Sequence, residues 1–252
     1  MTVAVVTGGT RGVGAGIARA FLSTGAEVVV CGRRPPRTPL TAAGREARYL
    51  PLDVRDPHAA QEFCAQVARE HGALDVLVNN AGGTPYRPLS EGSADHHARV
   101  IELNLLAPLH LSRAAHTVMR EQTGGGAIVM VGSVSGERPS PGTAAYGAAK
   151  AGLENLARSM AMEWAEEGIR VNTVVVGMAR TERTALHYGD EAGVAAVAAT
   201  VPMGRLAEPE EVGDACVFLA SDAARYVSGA SLAVHGGGER PAFLHAANVN
   251  RP

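Results

Sequence analysis

Short apolar runs and amphipathic stretches alternate along the chain. The apolar runs are continuous rather than alternating, which is typical of strands buried on both faces of a parallel sheet. They occupy residues 3–7, 27–31, 48–52, 76–79, 127–131, 170–176 and 231–234, and helical periodicity occupies residues 13–24, 57–71, 94–122, 143–167 and 208–220. This order predicts an α/β protein with a doubly wound Rossmann fold, in which helices cover both faces of a seven-stranded, mainly parallel sheet.

We expect residues 1–252 to form a single domain. Three of its segments depart from the alternation of strands and helices. Segment 32–45 is rich in proline and arginine, so any helix there is expected to be short or missing. Segment 178–206 has small residues and no strand pattern, and we expect it to be a substrate lid with a short helix. Segment 238–252 is an aperiodic C-terminal tail, in which residues 241–244 could cover the pocket of a neighbouring subunit.

Composition and charge argue against several classes of function. Hydrophobic residues make up 46% of the chain and the net charge is −2, so binding to nucleic acid or to an anionic membrane is not expected. No run approaches the roughly 18 apolar residues that cross a bilayer, and no leader precedes the first strand, so a cytoplasmic protein is expected. Cys31, Cys64 and Cys216 are far apart and the histidines lack ligand spacing, so neither a disulfide nor a metal site is expected.

A glycine-rich turn, TGGTRGVG, follows the first strand and opens the first helix. Gly8 allows the tight turn, Gly12 lets a pyrophosphate approach the backbone, and Gly14 lets the helix pack closely on the strand. The free N–H groups of a helix N-terminus attract phosphate. This context predicts a dinucleotide site formed by Gly8, Thr10, Arg11, Gly12, Val13 and Gly14.

Tyr146 and Lys150 lie four residues apart on a predicted helix, so their side chains leave the same face. Lys150 is the only lysine among 23 basic residues, and lysine, unlike arginine, has a pKa that proteins can adjust. A phenol with a pKa of about 10 is a poor base near neutrality, and a nearby ammonium group lowers that pKa. Tyr146 is therefore a candidate proton donor and acceptor, and Ser133, in a turn after a strand, could orient a substrate carbonyl.

These features, in this order, resemble the short-chain dehydrogenase/reductase family and its β-ketoacyl-reductase-like subgroup, over residues 3–237. Besides the glycine-rich turn, the resemblance rests on the NNAG turn at 79–82, Asn104 in IELNLLAP, Ser133 in VGSVSG, and the YxxxK motif of Tyr146 and Lys150. It implies catalytic roles for Asn104, Ser133, Tyr146 and Lys150, with Asn104 holding its helix open and placing a water beside the lysine. It also implies a homotetramer.

The same resemblance implies further contacts with the cofactor. These would come from Asp53 and Val54 at the adenine, from Asn80, Ala81 and Gly82, from Tyr146 and Lys150, and from Gly177 and Thr181 near the nicotinamide. One position departs from the family pattern, since Val176 stands where the loop before Gly177 usually has proline. Valine restores an N–H group, which leaves the geometry of this loop open.

The second strand indicates which nicotinamide cofactor is used. An NAD site usually places a carboxylate there, to accept hydrogen bonds from the ribose 2′-hydroxyl. Here the strand ends in Cys31 and Gly32, with no acidic residue. Arg33 and Arg34 follow, and together with Arg11 they could pair with a 2′-phosphate. NADP(H) is therefore favoured, and NAD(H) remains the alternative.

Together, these patterns predict an NADP(H)-dependent oxidoreductase that interconverts a ketone and a secondary alcohol. The alternatives are an NAD-dependent alcohol dehydrogenase and a non-catalytic dinucleotide-binding scaffold. The expected wall of the substrate pocket, from residues 83–86, 134–143, 178 and 186–188, is mainly apolar or small. Arg138, Arg180 and Arg183 could meet an anionic substrate, but they are expected to face solvent.

Overall fold

A computed structural model describes residues 1–241 and 243 of the chain. Its strands are β1 (Val3–Thr7), β2 (Glu27–Gly32), β3 (Thr41–Ala42), β4 (Arg45–Glu46), β5 (Arg48–Pro51), β6 (Val76–Asn79), β7 (Gly126–Ser133), β8 (Ile169–Val176) and β9 (Ser231–Val234). Seven of them form one sheet in the order β5-β2-β1-β6-β7-β8-β9, and every pairing in it is parallel. The predicted Rossmann sheet is confirmed, and its strand order reverses between β1 and β6, which is where such folds bind ligands.

The helices of the described residues follow the predicted alternation. They are α1 (Gly12–Ser23), α2 (Pro57–His71), α3 (Ala94–Ile101), α4 (Ala107–Met119), α5 (Val134–Glu137), α6 (Ala144–Glu163), α7 (Thr184–Tyr188), α8 (Glu191–Thr200) and α9 (Pro209–Ala220). None of these helices is long and apolar enough to cross a membrane.

Successive strand residues point to opposite faces of the sheet and create two separate cores. In β1, Val3 and Val5 belong to a core that includes Phe63 of α2, Leu111 of α4 and Leu153 of α6. Ala4 and Val6 belong to the other core, with Ile17 and Phe21 of α1 and Val212 of α9. Both sheet faces are thus buried, which explains why the strands read as continuous apolar runs.

The proline-rich segment after β2 contains a hairpin, formed by antiparallel β3 and β4. Its turn residues Ala43 and Gly44 both have positive φ, 49° and 74°. Such a turn matches the twist of the two strands it joins. The expectation that no full helix follows β2 is correct, but the hairpin was not foreseen.

The predicted long helix 94–122 is interrupted. Between α3 and α4, residues 102–106 form a π-helical segment. Pro108 lacks the N–H that would bond to the carbonyl of Asn104, and its ring crowds that carbonyl. The predicted helical stretch therefore continues from residue 94 to residue 119, and its irregularity coincides with Asn104.

The insert at 178–206 contains two helices, α7 and α8, rather than one. They are separated by Gly189, whose φ of 84° ends α7. Of the C-terminal tail, 238–252, only residues 238–241 and 243 are described. The expected cover from residues 241–244 therefore lies largely outside the described residues.

Candidate functional site

The glycine-rich turn between β1 and α1 has no room for side chains where the sequence places Gly8 and Gly14. Gly8 has a φ of 61°, and a Cβ on Gly14 would lie 2.4 Å from the Gly8 carbonyl oxygen. Arg11, the N-cap of α1, makes no side-chain capping hydrogen bond within the described residues. The first N–H groups of α1 are therefore left for an anion, as a pyrophosphate site requires.

The turn after β6 is tied to this glycine-rich turn. The Asn80 amide Nδ2 donates to the Thr7 carbonyl oxygen at 2.8 Å. In return, the Thr7 hydroxyl accepts from the backbone N–H groups of Asn80 and Ala81, at 3.0 and 2.9 Å. These contacts cross the point where the strand order reverses, so they fix the two halves of the crevice relative to one another.

At the end of β2, two cations face solvent. Arg33 and Arg34 are exposed and follow Gly32, which lies beside Thr10 of the glycine-rich turn. Arg11 is also exposed. The two loops that would hold the adenosine ribose of a dinucleotide therefore carry three guanidinium groups.

Asp53, expected near the adenine, has its carboxylate bound to Arg55. The Arg55 Nε and Nη2 atoms donate to the two carboxylate oxygens at 2.9 and 2.5 Å. This hydrogen bonding, with a smaller effect of the Arg33 charge, lowers the pKa of Asp53. Val54 is buried. Sequence reasoning missed Arg55, although an aspartate and an arginine two residues apart in a turn were a visible signal.

Ser133 and Tyr146 come together through the packing of α5 on α6. Ser133 ends β7, and its hydroxyl accepts from the Ser135 N–H at 3.2 Å. A Cβ on Gly136 would lie 2.8 Å from the Ala151 nitrogen, so only glycine lets α5 approach α6 this closely. Hydrogen bonding with Ser133 also affects the pKa of Tyr146, as described below.

Lys150 is buried, with only 4% of its surface exposed. Its Nζ donates to the Val131 carbonyl oxygen at 2.7 Å and lies 5.5 Å from the centre of the Tyr146 ring. Burial lowers the pKa of Lys150 from 10.5 to about 8. The single lysine of the chain is thus placed beside the tyrosine, as the four-residue spacing predicts.

Asn104 lies in the π-helical segment and bonds to the loop after β6. Its Oδ1 accepts from the Gly83 N–H at 2.8 Å, while its Nδ2 donates to the Val100 carbonyl at 2.9 Å. A Cβ on Gly82 would lie 2.6 Å from that Oδ1 and 3.5 Å from the Lys150 Nζ. Asn104 and Lys150 therefore both lie close to Gly82, and only glycine avoids a clash with the Asn104 side chain at this position.

The acidity of Tyr146 differs from the sequence-based expectation that Lys150 lowers its pKa. Burial has the largest effect and raises the pKa above its usual 10. Hydrogen bonding with Ser133 lowers it, and the nearby Tyr188 phenol raises it. In the protein alone the expected net lowering is wrong, because the desolvation of the phenolate outweighs the favourable contacts.

The loop after β8 completes the crevice. Gly177 packs against His235, and its N–H donates to the Val234 carbonyl at 3.0 Å. Val176 continues the parallel ladder opposite Val234, so the residue found in place of proline extends the strand. Thr181 faces the glycine-rich turn, since a Cβ on Gly12 would lie 3.5 Å from the Thr181 methyl group.

A model of the family described as enoyl-(acyl carrier protein) reductase matches residues 8–239. Its match includes the glycine-rich turn, Ser133, Tyr146 and Lys150. The chain belongs to the short-chain dehydrogenase/reductase family. The family and subgroup predicted from sequence are thereby confirmed.

Several relatives within this family match almost the whole chain. The cis-4-hydroxycyclohexanecarboxylate dehydrogenase of Sinomonas cyclohexanicum is 44% identical over 93% of this chain and 95% of its own. The 3-oxoacyl-(acyl-carrier-protein) reductase of Escherichia coli (strain K12) is 36% identical over 93% and 96%. The 3alpha-hydroxysteroid dehydrogenase of Mediterraneibacter gnavus is 35% identical over 93% and 95%.

Among solved structures, a putative short-chain alcohol dehydrogenase from Sinorhizobium meliloti 1021 matches with a TM-score of 0.86. It is 35% identical, and the match covers 94% of this chain and 95% of that one. As a short-chain dehydrogenase/reductase, the protein is an NAD(P)(H)-dependent oxidoreductase that acts on a small-molecule alcohol or ketone.

Two cavities border the site of this short-chain dehydrogenase/reductase. A shallow one, of about 10 Å³, is lined by Tyr146, by residues 84, 85, 87 and 142–145, and by His96, His97 and Val100 of α3. A larger one, of about 320 Å³, includes Met178 but is otherwise formed by residues 201–211 and 233–237. Tyr146 lines the first of these two cavities and not the second.

Proposed function

We propose that this enzyme interconverts a ketone and a secondary alcohol with NADP(H), using Tyr146 as general acid and base. The observation that carries the proposal is the convergence of Ser133, Tyr146, Lys150 and Asn104 beside the glycine-rich turn. A phenol, a hydroxyl and a buried ammonium group in one place match the needs of a carbonyl reduction.

Each residue has a defined task in this proposal. The bound nicotinamide supplies or accepts the hydride. In reduction, Tyr146 donates its phenolic proton to the substrate oxygen while Ser133 donates a hydrogen bond that orients the carbonyl. Lys150 favours the phenolate that remains, and Asn104 would hold the water that, as the family resemblance implies, returns a proton through Lys150. In oxidation the same proton moves from the alcohol to Tyr146.

The residues of the crevice fit the dinucleotide. The turn at Gly8–Gly14 leaves backbone N–H groups for phosphate, and Asn80, Ala81, Gly82, Gly177 and Thr181 line the remaining path towards Tyr146. Asp53 and Val54 stay among the expected adenine contacts, and the Asp53 carboxylate is paired with Arg55. We therefore keep the predicted cofactor contacts.

The preference for NADP(H) rests on the charge at the end of β2. Arg33 and Arg34 are exposed there, with Arg11 in the facing loop, and no carboxylate follows the strand. Arginine forks suit a 2′-phosphate, whereas a 2′-hydroxyl calls for an acid. An NAD(H)-dependent dehydrogenase remains the second candidate, because Asp53 lies within electrostatic range of Arg33 and partly balances it.

The proposal also covers the substrate, the oligomeric state and the cellular location. The relatives act, by their names, on a hydroxycyclohexane carboxylate, on 3-oxoacyl carrier protein and on a hydroxysteroid. We take 4-oxocyclohexanecarboxylate as the first substrate to test, with segment 178–206 as the lid over it. A homotetramer and a cytoplasmic location complete the proposal, the latter supported by three buried, unpaired cysteines.

The proposal is tested by Tyr146→Phe, which removes only the phenolic oxygen. We expect turnover of ketones to fall about 10²- to 10⁴-fold, the usual contribution of general acid–base catalysis. NADPH affinity, measured by calorimetry, should change little. Loss of binding together with activity would point to misfolding, and near-normal turnover would remove Tyr146 from its role. Binding of cofactor without turnover of any ketone by the wild type would favour the scaffold alternative.

The cofactor preference is tested by titrating the protein with NADPH and NADH, read by quenching of Trp164 fluorescence. We expect tighter binding of NADPH. In Arg33→Ala, NADPH binding should weaken about 10- to 100-fold, because a charge-assisted hydrogen bond to phosphate is lost, while NADH binding stays within about twofold. Arg37→Ala, also exposed in the same segment, is the matched control. Equal losses for the two cofactors would contradict a 2′-phosphate contact.

A further inference from the structure

The space over Gly12 is bordered by the beginning of the insert at 178–206. Gly12 is the first residue of α1 and has a φ of 54°. A Cβ on Gly12 would lie 3.5 Å from the Thr181 methyl group and 3.8 Å from Oε2 of Glu182. Both are ordinary van der Waals distances. A carboxylate of the insert therefore lies beside the backbone that the proposed pyrophosphate site needs.

Local hydrogen bonds define the turn that carries Glu182. The Thr184 hydroxyl donates to the Thr181 carbonyl oxygen at 2.8 Å and accepts from the Thr181 N–H at 2.7 Å. The Arg183 N–H donates to the Thr181 hydroxyl at 3.2 Å. Thr184 is buried, with 7% of its surface exposed. The turn is thus held by its own hydrogen bonds and anchored by a buried side chain, which keeps Glu182 next to α1.

The Glu182 carboxylate is exposed, and among the residues that the structure describes it makes no hydrogen bond or ion pair. The cation two residues earlier, Arg180, is paired with Glu208 at 3.3 Å. A helix N-terminus carries the positive end of the helix dipole, which attracts negative charge. In the free enzyme, Glu182 therefore places a negative charge where the phosphates of a dinucleotide are expected to bind.

We propose that Glu182 competes with the pyrophosphate of the dinucleotide for the N-terminus of α1 and thereby weakens cofactor binding. The inference rests on the proposed function, because it assumes that the glycine-rich turn binds the pyrophosphate. A carboxylate and a phosphate about 4 Å apart repel each other even in water. Binding of the dinucleotide therefore requires the Glu182 side chain, or the turn at 181–184, to move away from Gly12.

The proposed competition has a signature that differs from that of the arginines after β2. The pyrophosphate is common to NADPH and NADH, so Glu182 should weaken the binding of both cofactors equally. Arg33, by contrast, is expected to contact the 2′-phosphate, which only NADPH has. A change in affinity that is shared by the two cofactors therefore reports on Glu182.

The test is a calorimetric titration of Glu182→Gln, which keeps the size of the side chain and removes its charge. We expect this variant to bind NADPH and NADH about three- to tenfold more tightly than the wild type does, with a similar gain for both. Glu182→Asp keeps the charge on a shorter side chain, so its affinities should lie between the two. Glu191→Gln, the matched control, removes an exposed carboxylate at the start of α8 and should leave both affinities within about twofold.

Two further measurements show whether charge at the pyrophosphate is the cause. At an ionic strength of about 1 M the gain in Glu182→Gln should largely disappear, because charges are then screened within about 3 Å. Adenosine 2′-phosphate, which has no pyrophosphate, should bind to the wild type and to Glu182→Gln equally well.

Unchanged affinities for NADPH and NADH in Glu182→Gln would overturn the inference, and so would an equal gain for adenosine 2′-phosphate. Weaker binding together with a lower melting temperature would also overturn it, since Glu182 would then only support the fold of its segment. Failure of the wild type to bind either dinucleotide would instead refute the proposed function.

Discussion

At the scale of single residues, the chemistry of Lys150 depends both on its position in the sequence and on its burial in the fold. Its spacing from Tyr146 was visible in the sequence, but its burial was not. The structure places the ammonium group in the interior with one hydrogen bond, to Val131. Burial there lowers its pKa to about 8. A buried ammonium group lowers the stability of the folded protein, and such groups are commonly found at functional sites.

This cost gives Lys150→Met a defined pH dependence. A lysine whose pKa falls from 10.5 when unfolded to about 8 when folded makes the unfolded state bind more protons between these values. Stability of the wild type should therefore rise as the pH increases from 8 towards 10.5. Below pH 8 the full penalty applies, and Lys150→Met should be more stable by an amount on the order of 3 kcal/mol.

Urea unfolding at pH 7 and pH 9.5 measures this difference. We expect the gap between Lys150→Met and the wild type to shrink at the higher pH, while turnover of the variant is largely lost. A gap that stays constant with pH would mean that the lysine is not destabilised by burial.

At the scale of elements, the contact between α1 and α9 matters for the cofactor site. Gly16 and Gly213 let the two helices meet at backbone distance. A Cβ on Gly213 would lie 2.6 Å from the Ala20 Cβ and 3.0 Å from the Gly16 carbonyl oxygen. Because α1 begins at the glycine-rich turn, any shift of α1 also moves its free N–H groups.

Gly213→Val should therefore disturb both stability and binding. We expect a loss of about 1–3 kcal/mol in the free energy of unfolding, which is typical of overpacking, together with weaker NADPH binding. Asp214→Ala changes the next, exposed residue of α9 and serves as the control. Denaturant unfolding and calorimetry provide the two readouts. If Gly213→Val bound NADPH normally at reduced stability, the packing of α9 would not set the position of α1.

At the scale of the whole molecule, several large apolar side chains remain at the surface. Met162 of α6 is 84% exposed, Phe218 of α9 is 44% exposed, and Tyr226 is fully exposed. Leu106, beside α4, is 41% exposed. The family resemblance implies a subunit interface at the helices around Asn104 and Tyr146. Leu106 and Met162 lie there, which supports the proposed homotetramer.

Light scattering tests this assembly. We expect a mass four times that of the 26.0 kDa chain. Met162→Glu should lower the mass if α6 forms one interface, because a carboxylate would be buried without a partner. Phe218→Glu should do the same if α9 forms a second interface. A monomeric wild type would contradict the homotetramer directly.

The sequence alone determined the fold and the family, and it predicted the residues of the candidate site. Continuous apolar strands, helical periods and a glycine-rich turn depend on local spacing and local backbone conformation, which can be read from a single chain. The four-residue interval between Tyr146 and Lys150 is also local, so their shared helix face was predictable. Prolines and glycines likewise marked most irregular segments.

The tertiary structure decided what depends on partners distant in sequence. The pairing of Arg138 with Glu239 and the hydrogen bond between Asn104 and Gly83 join separate segments of the chain. The pKa of Tyr146 is higher than the sequence predicts for the same reason, because desolvation depends on every group packed around the phenol. Charge and spacing act along the chain and can be read from it, whereas burial and long-range contacts exist only once the chain has folded.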